Sequence, residues 1–543
     1  MKKLISLLLV LAMVAALVAC GPKTETPPSG TPTPAGDTPP AGGNDAQSPA
    51  PPTSSFVPDT GEPKYGGTLR AVTTADGSGQ IGLPWDTNAG DIYLAFPMME
   101  GLFREVPGSG EILPCLAESW EIDMENPAII VHLRKGVKYH DGSDFNAVTA
   151  KWGLDTTKEL AQAGSMADYS EITILGDYDI SIKIPAYTNS TLSNFTGMMY
   201  TFISKEAYEK YGSDYMAEHP IGTGPFKFVE YVKGAYVKFE RNNDYWEAGK
   251  PYLDGLEIQL IRDTMTQNIA LQATGDQSID MLGSQSGDQV KMFTDLGYQL
   301  MLTSPVSLTL MPNMDDESAP WYKKEVREAM SYAIDRQALV DARGFGIWSV
   351  ATQLSAKGYG GYSDDPNFGV PNSYDPAKAK ELLAQAGYPN GFKTTLYGQP
   401  SAADHDAVVA IQAMLGAIGI TATVEFPDEG GFNALWVDGW DGILVERVLN
   451  MTHNETCFWL LFGTLINFFH SFPHSQELDD LISVAQLKLG DNEKELQAIQ
   501  SHVLDNFYLI PMWYSYDANI IKPNVHGYGA DTGYTLYQDI WFE

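Results

Sequence analysis

Cysteine is scarce in this 543-residue chain: only Cys20, Cys115 and Cys457 occur. No Cys-x-x-Cys pair is present, so neither a dithiol redox motif nor a zinc knuckle is indicated. Cys115 follows Pro114 in what reads as a domain-edge loop, and Cys457 lies in an aromatic segment. Two separately buried thiols are expected rather than a disulfide. Basic charge is also short. Lys and Arg number 34 against 69 Asp and Glu, a formal net charge of −35, which argues against nucleic acid and against adsorption to anionic lipid. Most of this acidity reads as solubility. The signatures of catalysis are missing too: there is no Gly-x-Ser-x-Gly elbow, no His-Glu-x-x-His and no Walker loop. Gly222-Thr223-Gly224 lacks the third glycine and the following helix of a dinucleotide site. Asp315-Asp316-Glu317 lacks the spacing of a calcium loop and reads as solvated. His453, His470 and His474 could ligate a metal, but the Phe469-His470-Ser471-Phe472-Pro473-His474 context reads as a packed or surface loop. No metal and no cofactor is expected. Beyond the N-terminus no apolar run reaches the roughly 20 residues a bilayer span needs.

What is present begins with Lys2-Lys3, an apolar run from Leu4 to Ala19, and Leu17-Val18-Ala19-Cys20. Positive flank, short apolar core and small residues before a cysteine read as a lipoprotein signal over residues 1–20, cleaved before a lipid-modified Cys20. Residues 21–64 are Pro, Thr, Gly, Ser and Ala with almost nothing large and apolar before Phe56. Such a stretch buries too little surface to order itself and is expected to be a tether. At about 3.1 Å per residue when extended, it would hold the rest up to on the order of 100 Å from the lipid. The remainder is expected outside the cytoplasm, anchored to the cell membrane through Cys20.

From Tyr65 on, the chain is too long for one compact core, and a composition of 44% hydrophobic and 11% aromatic residues is that of a well-cored protein. Tyr65–Val72 reads as a short strand. Lys135-Gly136 and Asp141-Gly142 read as turns, and a helix begins within Phe145–Trp152. Lys324–Arg336 reads as one amphipathic helix with Val326, Ala329, Met330, Ala333 and Ile334 on its apolar face. Tyr374-Asp375-Pro376 caps another, which Gly387 ends. Ile411–Ile420 is a further helix leading into a strand, Thr421–Phe426. This alternation suggests an α/β lobe.

The most specific block is Gly222–Glu257. Gly222-Thr223-Gly224-Pro225-Phe226 opens a hairpin through Phe228, Tyr231 and Val232, a Lys233-Gly234 turn, and Val237–Glu240, followed by Arg241-Asn242-Asn243-Asp244-Tyr245-Trp246 and Lys250-Pro251-Tyr252-Leu253-Asp254-Gly255-Leu256. Gly222 and Gly224 are expected to take backbone angles closed to other residues. The block resembles the signature of the bacterial extracellular solute-binding proteins of family 5, the peptide- and nickel-type receptors of ABC importers. Glu100-Gly101-Leu102-Phe103, Pro114–Glu121, Val131–Gly142 and Gln272–Asp280 match the family pattern in its order. The resemblance implies an α/β, two-lobed periplasmic-binding-protein-like fold, with a hinge and an additional domain inserted in the first lobe. The first lobe would comprise residues 65–104, 221–308 and 512–543, the insertion 105–220, and the second lobe 309–511. It also implies a monomeric receptor that does no chemistry. Its partners would be a small-molecule or peptide ligand and the transmembrane subunits of an ABC permease.

The family's ligand contacts concentrate in the segment Trp436–Glu455. In many oligopeptide receptors a strand there ends in a Trp, followed three residues later by an Asp that pairs with the peptide's ammonium. Aligned on Asp441, those positions fall on Arg447 and Asn450. A neutral Asn450 accepts an ammonium poorly, so ordinary peptides with a free N-terminus are not expected as the preferred ligand. Glu446 points opposite to Arg447 by strand alternation. Trp440 and Tyr93 are aromatic candidates for a cleft wall, and Asn313 follows a strand over Leu308–Met311 near the expected interlobe crossing. Alternatives to a peptide receptor are a receptor for an oligosaccharide, a metal chelate or a signalling peptide. An exported glycosidase-like enzyme would need a marked carboxylate pair, and the sequence marks none.

Overall fold

The computed structural model describes residues 61–74, 80–86, 89–106, 110–161, 167–284, 286–399, 405–451, 453–464, 469–531 and 534–543. The chain divides into Met1–Gln47 and Ser48–Glu543, and all described residues fall in the second unit. Cys20, the expected signal over 1–20 and the tether through residue 60 lie outside the described residues. Among the described residues no helix is long and apolar enough to cross a membrane.

One mixed sheet of 11 strands organises the α/β fold. Its centre is two long neighbours, Gln299–Pro312 and Ile510–Ile521, which pair antiparallel. At one end, Ile510–Ile521 pairs with Met281–Ser284. That strand lies parallel to Thr68–Thr73, which is parallel in turn to Gly255–Leu260. The hairpin Phe226–Val232 and Tyr236–Arg241 completes this half, turning at Gly234 with a φ of 76°. At the other end, Gln299–Pro312 pairs with Ile443–Leu449, and Phe392–Tyr397 and Ile420–Glu425 follow as parallel strands. The helix His405–Ala417 joins those last two in a βαβ unit. The two long strands therefore belong to both halves of the sheet.

Three apolar clusters follow this division. One packs around Leu69, Phe226, Phe239, Leu256 and Ile540. A second fills residues 102–202 around Ile129, Val131, Phe145, Ile180 and Phe202. There a four-stranded antiparallel sheet packs with the helix Ala147–Leu160, which Asn146 starts with a capping box. The third surrounds Leu308, Met330, Ile411, Ile443 and Trp513. This third cluster also takes in Leu271, Val290 and Phe293, residues placed by sequence in the first lobe, because the long strands carry apolar contacts past the expected boundary.

Two local expectations are corrected. Lys324–Arg336 is not one helix. Lys324–Ala333 ends at an extended Ile334, and the Asp335 side chain accepts the Ala338 amide at 3.0 Å to start a second helix, Arg336–Arg343. Gly222 and Gly224 need no left-handed φ. They need room: a Cβ on Gly222 would lie 2.1 Å from the Met98 carbonyl oxygen, and one on Gly224 2.6 Å from the Met98 carbonyl carbon. Here the chain threads backbone against backbone. The Thr223 hydroxyl between them donates to Glu100 at 2.9 Å, as do the Tyr245 hydroxyl at 2.8 Å and the Trp246 indole at 2.9 Å. The opening of the signature block and its Tyr245-Trp246 pair thus meet on one buried carboxylate. Cys115 and Cys457 are both free and buried.

Candidate functional site

The two long strands change register between Leu302 and Pro305. Pro305 has no N–H to give the ladder. The Thr303 hydroxyl fills in by donating to the Asp517 carbonyl at 3.0 Å. Asp517 thus sits at the irregularity where one half of the sheet passes into the other. Its side chain is 43% exposed and pairs with the Arg447 guanidinium at 2.9 Å. Arg447 comes from Ile443–Leu449, on the far side of Gln299–Pro312 from Asp517's strand, and lies opposite Leu308.

Tyr93, on the helix Ala89–Ala95, joins this pair from the other half of the sheet. Its phenol pKa is pushed up by burial first and by the Asp517 carboxylate second, while the Arg447 charge draws it down. Yet its side chain remains 53% exposed. Tyr93 thus reaches solvent while the charges of Asp517 and Arg447 act on its phenol. Two of the expected site residues, Arg447 and Tyr93, are therefore brought together, with Asp517 between the halves.

Asn450 is close in the fold but turned inward. Its amide donates to the Pro305 carbonyl at 3.1 Å, its side-chain oxygen accepts the Ala356 amide at 2.6 Å, and its side-chain nitrogen is buried without a hydrogen-bond partner. It helps clamp a loop over residues 351–363. Tyr514 donates to the Gln353 and Ser355 carbonyls, and Gln500 accepts the Leu354 and Ser355 amides. Glu446 lies on the opposite strand face from Arg447, 2% exposed. Its carboxyl accepts from Trp436 at 2.8 Å, Gln399 at 3.1 Å and the Arg447 amide at 2.8 Å. Burial outweighs these contacts and pushes its pKa up to about 7.

Trp440 and Asn313 occupy the far end of the same strand. Trp440 is buried and donates its indole N–H to the Met311 carbonyl at 3.1 Å. The Asn313 amide nitrogen donates to the Trp440 carbonyl, and its oxygen accepts the Asp315 amide at 2.7 Å. Their polar groups hold the turn where this strand begins, and they do not join Arg447. Among the described residues no group of three or more His, Cys, Asp or Glu is arranged to hold a metal. The residue that sequence reasoning missed is Asp517. Its signal was a single charged residue within the strand Ile510-Pro511-Met512-Trp513-Tyr514-Ser515-Tyr516-Asp517-Ala518-Asn519-Ile520-Ile521.

Comparison with known proteins gives a consistent picture. The pattern of the bacterial extracellular solute-binding proteins, family 5 (middle part), matches residues 111–465. The glutathione-binding protein GsiB of Pectobacterium atrosepticum is 30% identical over 336 residues. That match takes in 59% of this chain and 62% of the relative's length. Among solved structures, the periplasmic binding protein DppA of Helicobacter pylori, in complex with the peptide STSA, superposes with a TM-score of 0.76 at 23% identity, covering 88% of this chain and 99% of that one. NikA of Brucella suis, in complex with Fe(III)-EDTA, superposes with a TM-score of 0.74 at 20% identity, covering 88% and 100%. At these identities the two structures speak to the two-lobed fold.

Proposed function

The chain belongs to the bacterial extracellular solute-binding proteins of family 5, and from that premise we propose that it is the substrate-binding component of an ABC importer. It captures a small solute or peptide in the cleft between its lobes and delivers it unchanged to the permease. The observation that carries this reading is the pair of strands shared by both halves of the sheet, with the Arg447–Asp517 pair at their register change. Two strands that pass between lobes form a hinge, and a ligand that touches both lobes shifts the population toward closure. The proposed domains are the lobes over 65–104, 221–308 and 512–543 and over 309–511, with 105–220 inserted. The proposed cellular setting is a monomer held outside the membrane by a lipid on Cys20.

Arg447, Tyr93 and Asp517 are the proposed ligand contacts, with Asn450 shaping the adjoining wall. Asn450 alone argued against a free amine. Asp517 puts a carboxylate back beside the cleft, and an Arg–Asp pair suits a solute that carries both an ammonium and a carboxylate. Short peptides have this chemistry, and so does glutathione, the compound in the relative's name. Calorimetry with reduced glutathione and short peptides, each free and N-acetylated, tests the assignment, and small-angle scattering tests closure. Binding of the free forms, lost on acetylation and accompanied by compaction, is expected. Equal binding of acetylated forms would remove Asp517 from the site, and recovery of a cleaved product would make the protein an enzyme.

A further inference from the structure

The inserted residues 105–220 and the second lobe are not joined directly by chain. In the proposed domain plan each connects only to the first lobe. Yet they touch. The Asn189 side chain donates to the Lys488 carbonyl at 3.1 Å and to the Gly490 carbonyl at 2.8 Å, and its oxygen accepts the Gly490 amide at 2.9 Å. One amide group thus makes three hydrogen bonds to the backbone of the loop between the helices Gln476–Leu487 and Glu493–Asp505.

The turn that presents Asn189 is braced from within. The Thr188 amide donates to the Thr191 hydroxyl at 2.7 Å, the Thr191 amide to the Thr188 carbonyl at 3.2 Å, and the hydroxyls of Thr188 and Thr191 lie 3.0 Å apart. Its target is fixed as well: Gly490 has a φ of 76°, and Asn492 donates to the Ala485 carbonyl at 3.1 Å. A second, electrostatic link runs from Glu105 of the inserted residues to the second lobe. Ser193 donates to Glu105, and the Glu105 carboxylate acts on His453 of the second lobe. There burial opposes the imidazolium, while the Glu455 carboxylate and then Glu105 favour it and raise its pKa. The contact is therefore built from prearranged groups on both sides.

We propose that Asn189 is a clasp by which the inserted domain holds the second lobe in the closed form, so that ligand release requires this contact to break. The proposal rests on the hinge reading given above. Rotation about the shared strands parts the inserted domain from the second lobe, and three bonds to backbone groups are lost together. The clasp sets residence time, because it forms only after the lobes have met.

The test compares the wild type with Asn189→Ala and Asn189→Asp. The free protein exchanges between open and closed forms, and hydrogen exchange at the Gly490 amide with small-angle scattering, both without added ligand, reads the clasp in the closed fraction. In Asn189→Ala the Gly490 amide should exchange faster and the molecule should expand. Asn189→Asp keeps an acceptor for Gly490 but loses both donated bonds, and should fall between. With reduced glutathione as probe, Asn189→Ala should raise the dissociation rate about tenfold, the equivalent of about 1.4 kcal/mol, with little change in association rate. Identical exchange at Gly490 and identical scattering in wild type and Asn189→Ala would overturn the clasp. If glutathione fails to bind the wild type, the ligand proposal falls, and exchange with scattering still decides the clasp.

Discussion

Glu446 offers a test that needs no ligand. It is buried, and desolvation lifts its carboxyl pKa from 4.5 to about 7 against the pull of the Arg447 amide, Trp436, the Arg447 charge and Gln399. A raised carboxyl pKa means that the folded protein holds the proton more tightly than the unfolded chain does. Below 4.5 both states are protonated and the shift has no effect on stability. Between 4.5 and 7 the unfolded chain ionises first, and the native state loses ground as pH rises. Above about 7 the full penalty applies, about 3 kcal/mol for a shift of this size. Glu446→Gln abolishes the titration. Its amide cannot accept all three hydrogen bonds now made to the carboxyl, so the variant carries a constant offset of about 1–3 kcal/mol. The informative quantity is therefore the pH dependence of the difference between wild type and variant, in which other groups cancel. Urea unfolding can be followed through the summed tryptophan emission. Between about pH 4.5 and about pH 7.5, the wild type should lose about 3 kcal/mol relative to the variant. A difference that stays flat across that range would refute the argument.

Arg447→Gln leaves Asp517 without its cation and should weaken glutathione binding by about tenfold or more, roughly the loss of one charge-assisted contact; unchanged calorimetry would remove Arg447 from the site. Gly224→Ala pushes a Cβ to 2.7 Å from the Pro97 carbonyl oxygen and forces backbone apart. It should cost about 1–3 kcal/mol, seen as a lower melting temperature; an unchanged melting temperature would contradict the close threading. Cys20→Ser should release the protein from membranes or leave the signal uncut, checked by fractionation and mass; a membrane-bound protein of normal processed size would refute lipidation.

Much of the architecture was legible because it rests on local chemistry. Asn146 and Asp375-Pro376 mark helix starts whatever the tertiary setting. The α/β alternation near Phe392–Glu425 also needs only periodicity. The break at Ile334–Asp335 was less visible. Apolar spacing runs through it, and only the Asp335 cap, satisfied by Ala338, ends one helix and begins the next. The role of Gly222 and Gly224 was misread because crowding by Pro97 and Met98 comes from a segment more than a hundred residues away. The site was harder still. Alternation separates Glu446 from Arg447, but nothing local says that a register change at Pro305 brings Asp517 to Arg447, or that Tyr93 arrives from the other half of the sheet. Trp440 lies a few residues before Arg447 in sequence, yet strand length carries it to the far end, where Asn313 meets it from the end of Gln299–Pro312.

The two buried thiols have a practical consequence. Cys115 is 1% exposed and Cys457 4% exposed, in separate apolar clusters, and burial pushes each pKa up to about 12. At neutral pH only about one in a hundred thousand of either would be thiolate, the form that reacts. In a version that starts after Cys20, the native protein is thus silent toward maleimide dyes. A cysteine introduced on the exposed surface of each lobe would be labelled alone, and the distance between two dyes would follow opening and closing in single molecules without removing either native thiol.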